Sequence, residues 1–249
     1  MNYNKDWDYS KQAQFYKYRP NYPADLIRML ISYVSRTDSI SIADIGAGTG
    51  NLSILLSEFK NTHILAIEPN KSMMDIGLDR TKAKSNIEWI QTTGTQTGLP
   101  NSSVDLVTFG SSFNVLDRQV ALREAHRILK PGGYFCCMWN HRDLHDKTQM
   151  KAEHIISSII PNYTRGVRRE DQRPVIEQSG LFTNITYIEM DFEFNQTLND
   201  YINAWKSVKN TYWENDSDIF ANICDKFRAE LPKSFLVKYT SRCWIAKRK

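Results

Sequence analysis

Ala43-Asp44-Ile45-Gly46-Ala47-Gly48-Thr49-Gly50 is the stretch that decides the fold, because it joins a short apolar run to an amphipathic one. The run before it, 39–44, predicts a strand, and residues 49–59 after it predict a helix. Glycines at a strand-to-helix turn let the backbone bend sharply and let a ligand approach main-chain atoms. The sequence therefore predicts a ligand-binding loop between a first strand and the helix that follows it.

The same alternation of strand and helix continues along the chain. Further strands are predicted at 63–68, 87–92, 104–109 and 134–139. Helices are predicted at 24–35, 71–83 and 118–130, and then at 145–160, 198–210 and 216–230. Two late amphipathic strands, 185–194 and 235–246, are expected to complete the sheet. This order predicts an α/β fold, a Rossmann-like, mostly parallel seven-stranded sheet with helices on both faces and a helical lid.

The chain has 249 residues, a little more than one typical domain. We expect an N-terminal lid segment at 1–22, a ligand-binding Rossmann-like core at 23–140, and lid helices with the last two strands at 141–249. For each aromatic residue of the two lid regions, from Trp7 and Tyr18 to Trp205 and Trp213, simple packing of a small lid is favoured, although we expect the lid as a whole to contribute one or two ligand contacts.

Composition narrows the class of protein. The net charge is only +4, from 32 basic and 28 acidic residues, and the basic runs at 165–169 and 247–249 are short. Nucleic-acid binders usually carry a clustered basic patch, so we expect no nucleic-acid partner. No segment approaches the roughly 20 apolar residues that span a bilayer, and the N-terminus lacks a signal-peptide core. We therefore expect no membrane partner and a cytoplasmic location.

The cysteines and histidines do not predict a metal site. None of the four cysteines is spaced as in a zinc site, and adjacent Cys136 and Cys137 should point to opposite faces of a strand. His141 and His145 could share one face of a helix, but such pairs are mostly incidental. Arg165, Arg168 and Arg169 could bind a substrate carboxylate, although a solvent-facing role is favoured.

The spacing of the glycines separates two classes of ligand. A dinucleotide-binding loop reads G-x-G-x-x-G and would need glycine at position 51, which is Asn51. The observed G-x-G-x-G, preceded by Asp44, is the pattern of S-adenosylmethionine enzymes. Glu68 ends the second strand, where an acidic side chain can accept both hydrogens of a ribose diol. A glycine-rich turn without a ligand is the plain alternative, and the surrounding βαβ pattern disfavours it.

With these pieces in place, the chain resembles a class I S-adenosylmethionine-dependent methyltransferase of the group that includes ubiquinone/menaquinone-type and trans-aconitate-type enzymes. The resemblance covers nearly the whole chain. The matching segments are Tyr18-Arg19-Pro20-Asn21-Tyr22-Pro23, Asp44 to Gly50, Glu68-Pro69-Asn70, Gly98-Leu99-Pro100, Val104-Asp105-Leu106-Val107, Leu129-Lys130-Pro131-Gly132-Gly133 and Trp139-Asn140-His141-Arg142-Asp143.

The resemblance implies S-adenosyl-L-methionine as cofactor and assigns roles to individual residues. Gly46, Gly48 and Gly50 would bracket its methionine part and ribose, Asp44 would support its amino group, and Glu68 would hold its ribose hydroxyls. Tyr18 and Arg19 would close over it, with Arg19 a candidate partner for its carboxylate. The cofactor-binding set is completed by Ala47, Pro69, Met73, Thr93, Gly94, Thr95 and Ser111.

Two segments depart from the family pattern. An acidic residue is common near the adenine, but this chain reads Thr92-Thr93-Gly94-Thr95-Gln96, so we expect adenine contacts from the Gly94 backbone and the Thr93 hydroxyl. Relatives often carry Phe-His-Trp after the fourth strand, where this chain has Phe113-Asn114-Val115. Histidine-assisted deprotonation is therefore not carried over. Asn114 and Asn140 remain the candidate catalytic residues, acting as amides that position a substrate.

Three functions remain open from the sequence. The first is a cytoplasmic methyltransferase that acts on a small-molecule acceptor as a monomer or homodimer. The second consumes S-adenosylmethionine without an acceptor, as in an intramolecular cyclisation to azetidine-2-carboxylate and methylthioadenosine. The third is a non-catalytic binder of nucleic acid or protein, which the small net charge and the intact glycine motif disfavour. No metal is expected.

Overall fold

The computed structural model describes residues 8–34, 39–164, 169–210, 212–213 and 217–249. Trp7, Arg165 and Arg168 lie outside the described residues. The strands are β1 (Ile40–Ile45), β2 (Thr62–Ile67), β3 (Ile87–Ile90), β4 (Val104–Gly110), β5 (Leu129–Arg142), β6 (Phe182–Thr197) and β7 (Ser234–Arg248). The helices are α1 (Ala24–Val34), α2 (Asn51–Leu56), α3 (Lys71–Thr81), α4 (Arg118–Ile128), α5 (Lys147–Ile159), α6 (Arg173–Gln178), α7 (Leu198–Lys206) and α8 (Ser217–Glu230), with 3-10 turns at Ala13–Tyr18 and Phe113–Val115.

The strands form one seven-stranded sheet in the order β3-β2-β1-β4-β5-β7-β6. The first five strands along the chain all pair in parallel. The two late strands complete the sheet beyond β5, so the predicted α/β fold is confirmed. Since β1 lies between β2 and β4, the order of strands reverses at β1. Ligands of open α/β sheets bind at the carboxyl ends of the strands beside such a reversal.

Strand alternation builds one hydrophobic core on each face of the sheet. Cys137 and Phe109 belong to the cluster that packs against α4, whereas Cys136 and Leu106 belong to the cluster that packs against α1 and α2. This division confirms the prediction that Cys136 and Cys137 point to opposite faces. Cys136 Sγ lies 3.4 Å from Cys243 Sγ, and both side chains are buried as free thiols.

The chain divides into two compact units. The first, which we call the core unit, comprises Asn21–Trp139, Glu170–Met190 and Ser241–Lys249. The second, the cap unit, comprises the described parts of Met1–Pro20, Asn140–Arg169 and Asp191–Thr240. The cap unit has its own hydrophobic core, in which Ile156 of α5, Tyr201 of α7 and Phe227 of α8 are buried.

Several element boundaries differ from the predicted ones, for local reasons. Helix α2 begins at Asn51 rather than Thr49, because Gly50 still has the left-handed φ of +83°. Helix α4 ends at Ile128, since Leu129 is already extended with ψ at 139°. Strand β6 is longer than predicted, and a short helix, α6, forms within the polar stretch before it.

None of the described helices is both long and apolar enough to cross a bilayer.

Candidate functional site

The glycine loop after β1 is held in a tight, left-handed course. Gly46, Gly48 and Gly50 have φ values of +68°, +61° and +83°, a region that side chains other than glycine rarely adopt. A Cβ on Gly46 would lie 2.5 Å from Ser112 Cβ. The loop amides of Gly46 and Ala47 donate to the Ile67 carbonyl at 2.8 and 3.0 Å. The backbone of the loop is therefore fixed against the end of β2.

Glu68 joins the glycine loop to the start of α3. One carboxylate oxygen, Oε2, accepts the Gly48 N–H at 2.8 Å, and the other, Oε1, accepts the Asn70 N–H at 2.8 Å. The residue is only 7% exposed. Burial raises the pKa of Glu68 from 4.5 to about 7, with a further rise from Asp44, although the two backbone donors lower it. The carboxylate thus faces the loop and retains acceptor capacity on each oxygen.

Asp44 is buried beneath the same loop and contacts two hydroxyl groups. Its carboxylate accepts the Ser53 hydroxyl of α2 at 2.6 Å and the Thr108 hydroxyl of β4 at 2.9 Å. Asp44 and Thr108 are partners in the parallel register of β1 and β4. Burial raises the pKa of Asp44 from 3.8 to about 6, although both hydroxyls lower it. In this structure Asp44 ties β1 to α2 and β4.

Arg80, a residue of α3, donates hydrogen bonds to the glycine loop, a contact that the sequence pattern does not predict. Its Nη1 atom donates to the Thr49 carbonyl at 2.6 Å and to Asn51 Oδ1 at 2.6 Å. The Trp89 ring lies against the same loop, 3.2 Å from the position of a Cβ on Gly50. Neither contact leaves a local sequence signal, because both join residues that are about thirty or more positions apart.

The loop between β3 and β4 contains the residues that are predicted to contact adenine. Thr93 forms an isolated bridge with Gln96, and its hydroxyl lies 3.5 Å from that of Thr95. Gly94 is packed closely against β1, since a Cβ there would lie 2.2 Å from Ile45 Cγ2. The loop is therefore seated on the end of β1, and Gly94 has no room for a side chain.

Ser111 and Asn114 follow the end of β4, beside the point where the strand order reverses. Ser111 has a left-handed φ of +61°, and its hydroxyl is 2.9 Å from the Tyr22 hydroxyl. Asn114 Oδ1 accepts the indole N–H of Trp139 at 3.0 Å. With its oxygen engaged, the Asn114 amide presents its NH₂ group as a donor.

Pro69 and Met73 are positioned by the turn that leads into α3. The Pro69 carbonyl accepts the Gln91 amide at 3.4 Å. Asn70 caps α3, because its side-chain oxygen accepts the Met73 N–H at 3.0 Å. Met73 itself is buried. An asparagine directly before a helix is a recognised capping signal, so the role of Asn70 could have been predicted from the sequence.

Three of the predicted residues belong to the cap unit. The Arg19 guanidinium donates to the Ser207 hydroxyl at 2.8 Å and to the Ser207 carbonyl at 2.6 Å, and lies 4.0 Å from the Tyr16 ring centroid. The Tyr18 carbonyl accepts the Gln196 amide at 3.1 Å. The Asn140 amide donates to the Pro20 carbonyl at 3.2 Å. Arg19 and Asn140 thus hold the N-terminal part of the cap unit in this structure.

The histidines, the arginine and the late tryptophans that the sequence also singles out lie in β5, in the segments after it and in the cap unit. His141 lies in β5 and His145 follows that strand, so the two do not share a helix face. Arg169 donates to the Arg142 carbonyl rather than facing only solvent. Trp205 and Trp213 are buried in the core of the cap unit. Within the described ranges, no group of three or more His, Cys, Asp or Glu side chains is placed to bind a metal.

Residues 43–137, which run from the middle of β1 into β5, match the family model described as a methyltransferase domain. The match includes the glycine loop, Glu68 and the residues after β4.

Curated relatives show the same similarity over part of their length. An uncharacterised methyltransferase of Schizosaccharomyces pombe is 30% identical over 131 residues, which are 53% of this chain and 51% of that protein. The ubiquinone/menaquinone biosynthesis C-methyltransferase of Rubrivivax gelatinosus is 33% identical over 98 residues, 39% of this chain and 38% of that protein. The chain thus matches about half, or less, of the length of these relatives.

Among solved structures, a putative type II methyltransferase from Anaeromyxobacter dehalogenans superposes with a TM-score of 0.63. The two chains are 19% identical, and the match covers 93% of this chain and 97% of that one. At this level of identity the likeness concerns the fold.

Proposed function

We propose that this chain is a class I S-adenosylmethionine-dependent methyltransferase, which transfers a methyl group from S-adenosylmethionine to a small-molecule acceptor. The observation that supports this proposal most strongly is the contact between Glu68 and the glycine loop. A carboxylate and a loop of three glycines meet at the reversal of strand order, where ligands of such sheets bind.

The residues present fit the nucleoside of the cofactor. Glu68 accepts one backbone N–H on each carboxylate oxygen, and each oxygen has capacity for a second donor. A ribose diol offers two such donors side by side. The burial that raises the pKa of Glu68 to about 7 also makes additional donors favourable, because hydrogen bonds stabilise the charged carboxylate. Glu68 with Gly46, Gly48 and Gly50 would therefore hold the ribose and the methionine part.

The adenine is assigned to the loop that carries Thr93 and Gly94. This loop is seated against Ile45 at the end of β1, next to the glycine loop. Its polar groups are backbone atoms and threonine hydroxyls rather than a carboxylate. We expect the recognition of the base to depend on the Gly94 backbone and the Thr93 hydroxyl, so that Thr93→Val should weaken cofactor binding by about one neutral hydrogen bond, roughly several-fold.

Bound cofactor supplies a methyl group already activated by a positive sulfur, so the protein must mainly align the acceptor and exclude water. The two candidate catalytic residues, Asn114 and Asn140, are each neutral amides, which form hydrogen bonds but cannot take a proton from an acceptor. We therefore expect an acceptor whose nucleophilic atom does not need to be deprotonated by a protein base before the methyl transfer.

Product analysis tests the proposal. The protein is incubated with methyl-labelled S-adenosylmethionine, first alone and then with pooled carboxylate, amine and hydroxyl metabolites, and the products are read by mass spectrometry. We expect S-adenosylhomocysteine and a labelled product only when an acceptor is present. Methylthioadenosine formed without an acceptor would instead support the cyclisation, which no contact among the described residues favours.

A loop variant and a matched control connect turnover to the site. Gly48→Val adds a branched side chain at a φ of +61°, whereas Gly98→Val adds the same group at +75° where a Cβ meets nothing within 4 Å. We expect Gly48→Val to lose cofactor binding and turnover and Gly98→Val to retain both. Equal activity of the two folded variants would exclude the glycine loop as the site.

A further inference from the structure

Ser111, the residue directly after β4, has a backbone conformation that serine rarely adopts. Its φ of +61° lies in the left-handed region, where a Cβ atom is crowded by the backbone. Strand β4 is one of the two strands beside β1, where the order of strands reverses. A residue in such a conformation persists only where its surroundings hold it, and residues of this kind often occur at functional sites. The contacts that hold Ser111 therefore need an explanation.

Tyr22, two residues before α1, contacts the turn that contains Ser111. The Tyr22 hydroxyl lies 2.9 Å from the Ser111 hydroxyl and 3.4 Å from the Met138 carbonyl of β5. The Ser111 N–H donates to the same carbonyl at 2.8 Å. Tyr22 is only 8% exposed and packs in the hydrophobic cluster that includes Leu26 and Leu52. Packing of its ring thus fixes the position of the hydroxyl beside Ser111.

Ser112 connects this turn to the glycine loop. The Ser112 hydroxyl donates to the carbonyl of Ile45, the last residue of β1. Ser112 also lies directly against Gly46, since a Cβ on Gly46 would be 2.5 Å from Ser112 Cβ. A different backbone conformation at Ser111 would move Ser112 away from both residues. The course of the chain at Ser111 therefore affects the start of the glycine loop.

A continuous path of contacts within the core unit thus runs from the Tyr22 hydroxyl through Ser111 and Ser112 to the glycine loop. The loop is supported from β4 by this path, in addition to its hydrogen bonds with the end of β2. A loop that is already held in its binding conformation loses less conformational entropy when a ligand binds. Support of this kind should therefore increase affinity for the ligand of the loop.

We propose that Tyr22 is a positioning residue of the cofactor site. Its hydroxyl keeps Ser111 in the left-handed conformation, and Ser111 in turn places Ser112 against the start of the glycine loop. This inference rests on the proposed function, because the ligand whose affinity it increases is S-adenosylmethionine. The support of the loop by Tyr22 can also be measured in the free protein, without any ligand.

The first test compares two variants that each remove one tyrosine hydroxyl. Tyr22→Phe keeps the buried ring and loses the contact with Ser111. Tyr33→Phe is the matched control, because the Tyr33 hydroxyl of α1 lies 3.1 Å from the Thr186 hydroxyl and contacts no residue of the path. By calorimetry, we expect Tyr22→Phe to bind S-adenosylhomocysteine about fivefold more weakly than wild type and Tyr33→Phe to bind it equally well. Equal affinity of Tyr22→Phe and wild type would overturn the positioning role.

A second variant tests whether Tyr22 acts through Ser111. Glycine adopts a positive φ without support, so Ser111→Gly should make the Tyr22 hydroxyl unnecessary. We expect Tyr22→Phe to weaken binding by less than about twofold when it is added to Ser111→Gly. If the full effect of Tyr22→Phe persists in that background, Tyr22 acts on the ligand by another route and the proposal is wrong.

Hydrogen exchange provides a readout that does not depend on the ligand. The amides of Gly46 and Ala47 donate to the Ile67 carbonyl, and their exchange can be followed by NMR in the free protein. Tyr22→Phe should accelerate exchange of these two amides about threefold or more relative to the amides of β4, whereas Tyr33→Phe should not. An equal acceleration across the whole sheet would indicate only a loss of global stability and would overturn the proposal.

The two measurements separate this proposal from the proposed function. If wild type does not bind S-adenosylhomocysteine while Tyr22→Phe still accelerates exchange in the glycine loop, the proposed function is wrong and the support of the loop by Tyr22 stands. If wild type and Tyr22→Phe bind with equal affinity, the positioning role is wrong and the proposed function stands.

Discussion

Replacement of Glu68 by glutamine changes one atom of the proposed ribose contact and should separate stability from binding. Glutamine keeps one oxygen acceptor for the backbone N–H groups of Gly48 and Asn70 but replaces the second oxygen with a donor. For binding, loss of a charged acceptor of ribose hydroxyls removes about 1.5–3 kcal/mol per hydrogen bond. We therefore expect S-adenosylhomocysteine to bind Glu68→Gln roughly 10- to 100-fold more weakly than wild type.

The pH dependence of stability follows from the raised pKa of Glu68. Below its unfolded value of 4.5 both states are protonated, and between 4.5 and about 7 only the folded state keeps the proton. The contribution of this group to the free energy of unfolding is therefore largest below pH 4.5. It decreases as the pH rises from 4.5 and is lost once the pH has passed about 7. At about 1.4 kcal/mol per pKa unit, the loss is roughly 3 kcal/mol. Glu68→Gln should lack this loss.

The assay is urea unfolding of both proteins at about pH 5 and pH 8, with calorimetric titration of S-adenosylhomocysteine under native conditions. The free energy of unfolding of wild type, measured relative to that of Glu68→Gln, should be lower at about pH 8 than at about pH 5. Glu124 is a matched control, since its carboxylate contacts Thr97 and Arg127 and no residue of the glycine loop. Glu124→Gln should lose stability and keep its affinity. A stability difference that rises with pH, or unchanged affinity of Glu68→Gln, would refute the reasoning.

Three further predictions follow from the loop. Arg80→Met removes the donors to Thr49 and Asn51 and should weaken S-adenosylhomocysteine binding about tenfold. Lys71→Met on the same helix should leave binding unchanged. Equal affinities of the two variants by calorimetry would show that these hydrogen bonds do not support the loop. Gly46→Ala places Cβ 2.5 Å from Ser112 and should destabilise the fold more than Gly98→Ala. The added Cβ of Gly98→Ala meets no neighbour, so that variant has only the backbone strain of its positive φ, about 1 kcal/mol. Equal midpoints of urea unfolding would exclude a steric clash at Gly46. Affinity of wild type for S-adenosylhomocysteine should rise from about pH 6 to pH 8 as Glu68 ionises, and a flat profile would mean that the ribose does not contact this carboxylate.

Local patterns in the sequence were sufficient for the α/β fold and for the glycine loop. The alternation of apolar runs and amphipathic helices predicts the seven strands. The same alternation places Glu68 at the end of the second strand. The boundaries of α2 and α4 were less accurate, because they depend on the backbone angles of Gly50 and Leu129, which no period of the sequence encodes.

Contacts between distant residues could not be predicted in this way. Arg80 reaches back to Thr49, and Arg19 contacts Ser207, although each pair is far apart in sequence. The proposed role of Arg19 toward a cofactor carboxylate came from resemblance alone, whereas its guanidinium binds Ser207 in this structure. The contact of Arg142 with Trp205 and Tyr201 was not recognised either, since Arg142 lies in β5 and the two aromatic residues lie in α7. Such contacts are visible only after the chain has folded.

The central claim, that Glu68 and the glycine loop hold the nucleoside of S-adenosylmethionine, is tested most directly by one pair of titrations. S-adenosylhomocysteine and its 2′,3′-dideoxy analogue are titrated into wild type and Glu68→Gln by calorimetry. We expect wild type to bind the parent compound at least about tenfold more tightly than the analogue, whereas Glu68→Gln should distinguish them little. Equal discrimination by the two proteins, or no binding of S-adenosylhomocysteine to wild type, would contradict it.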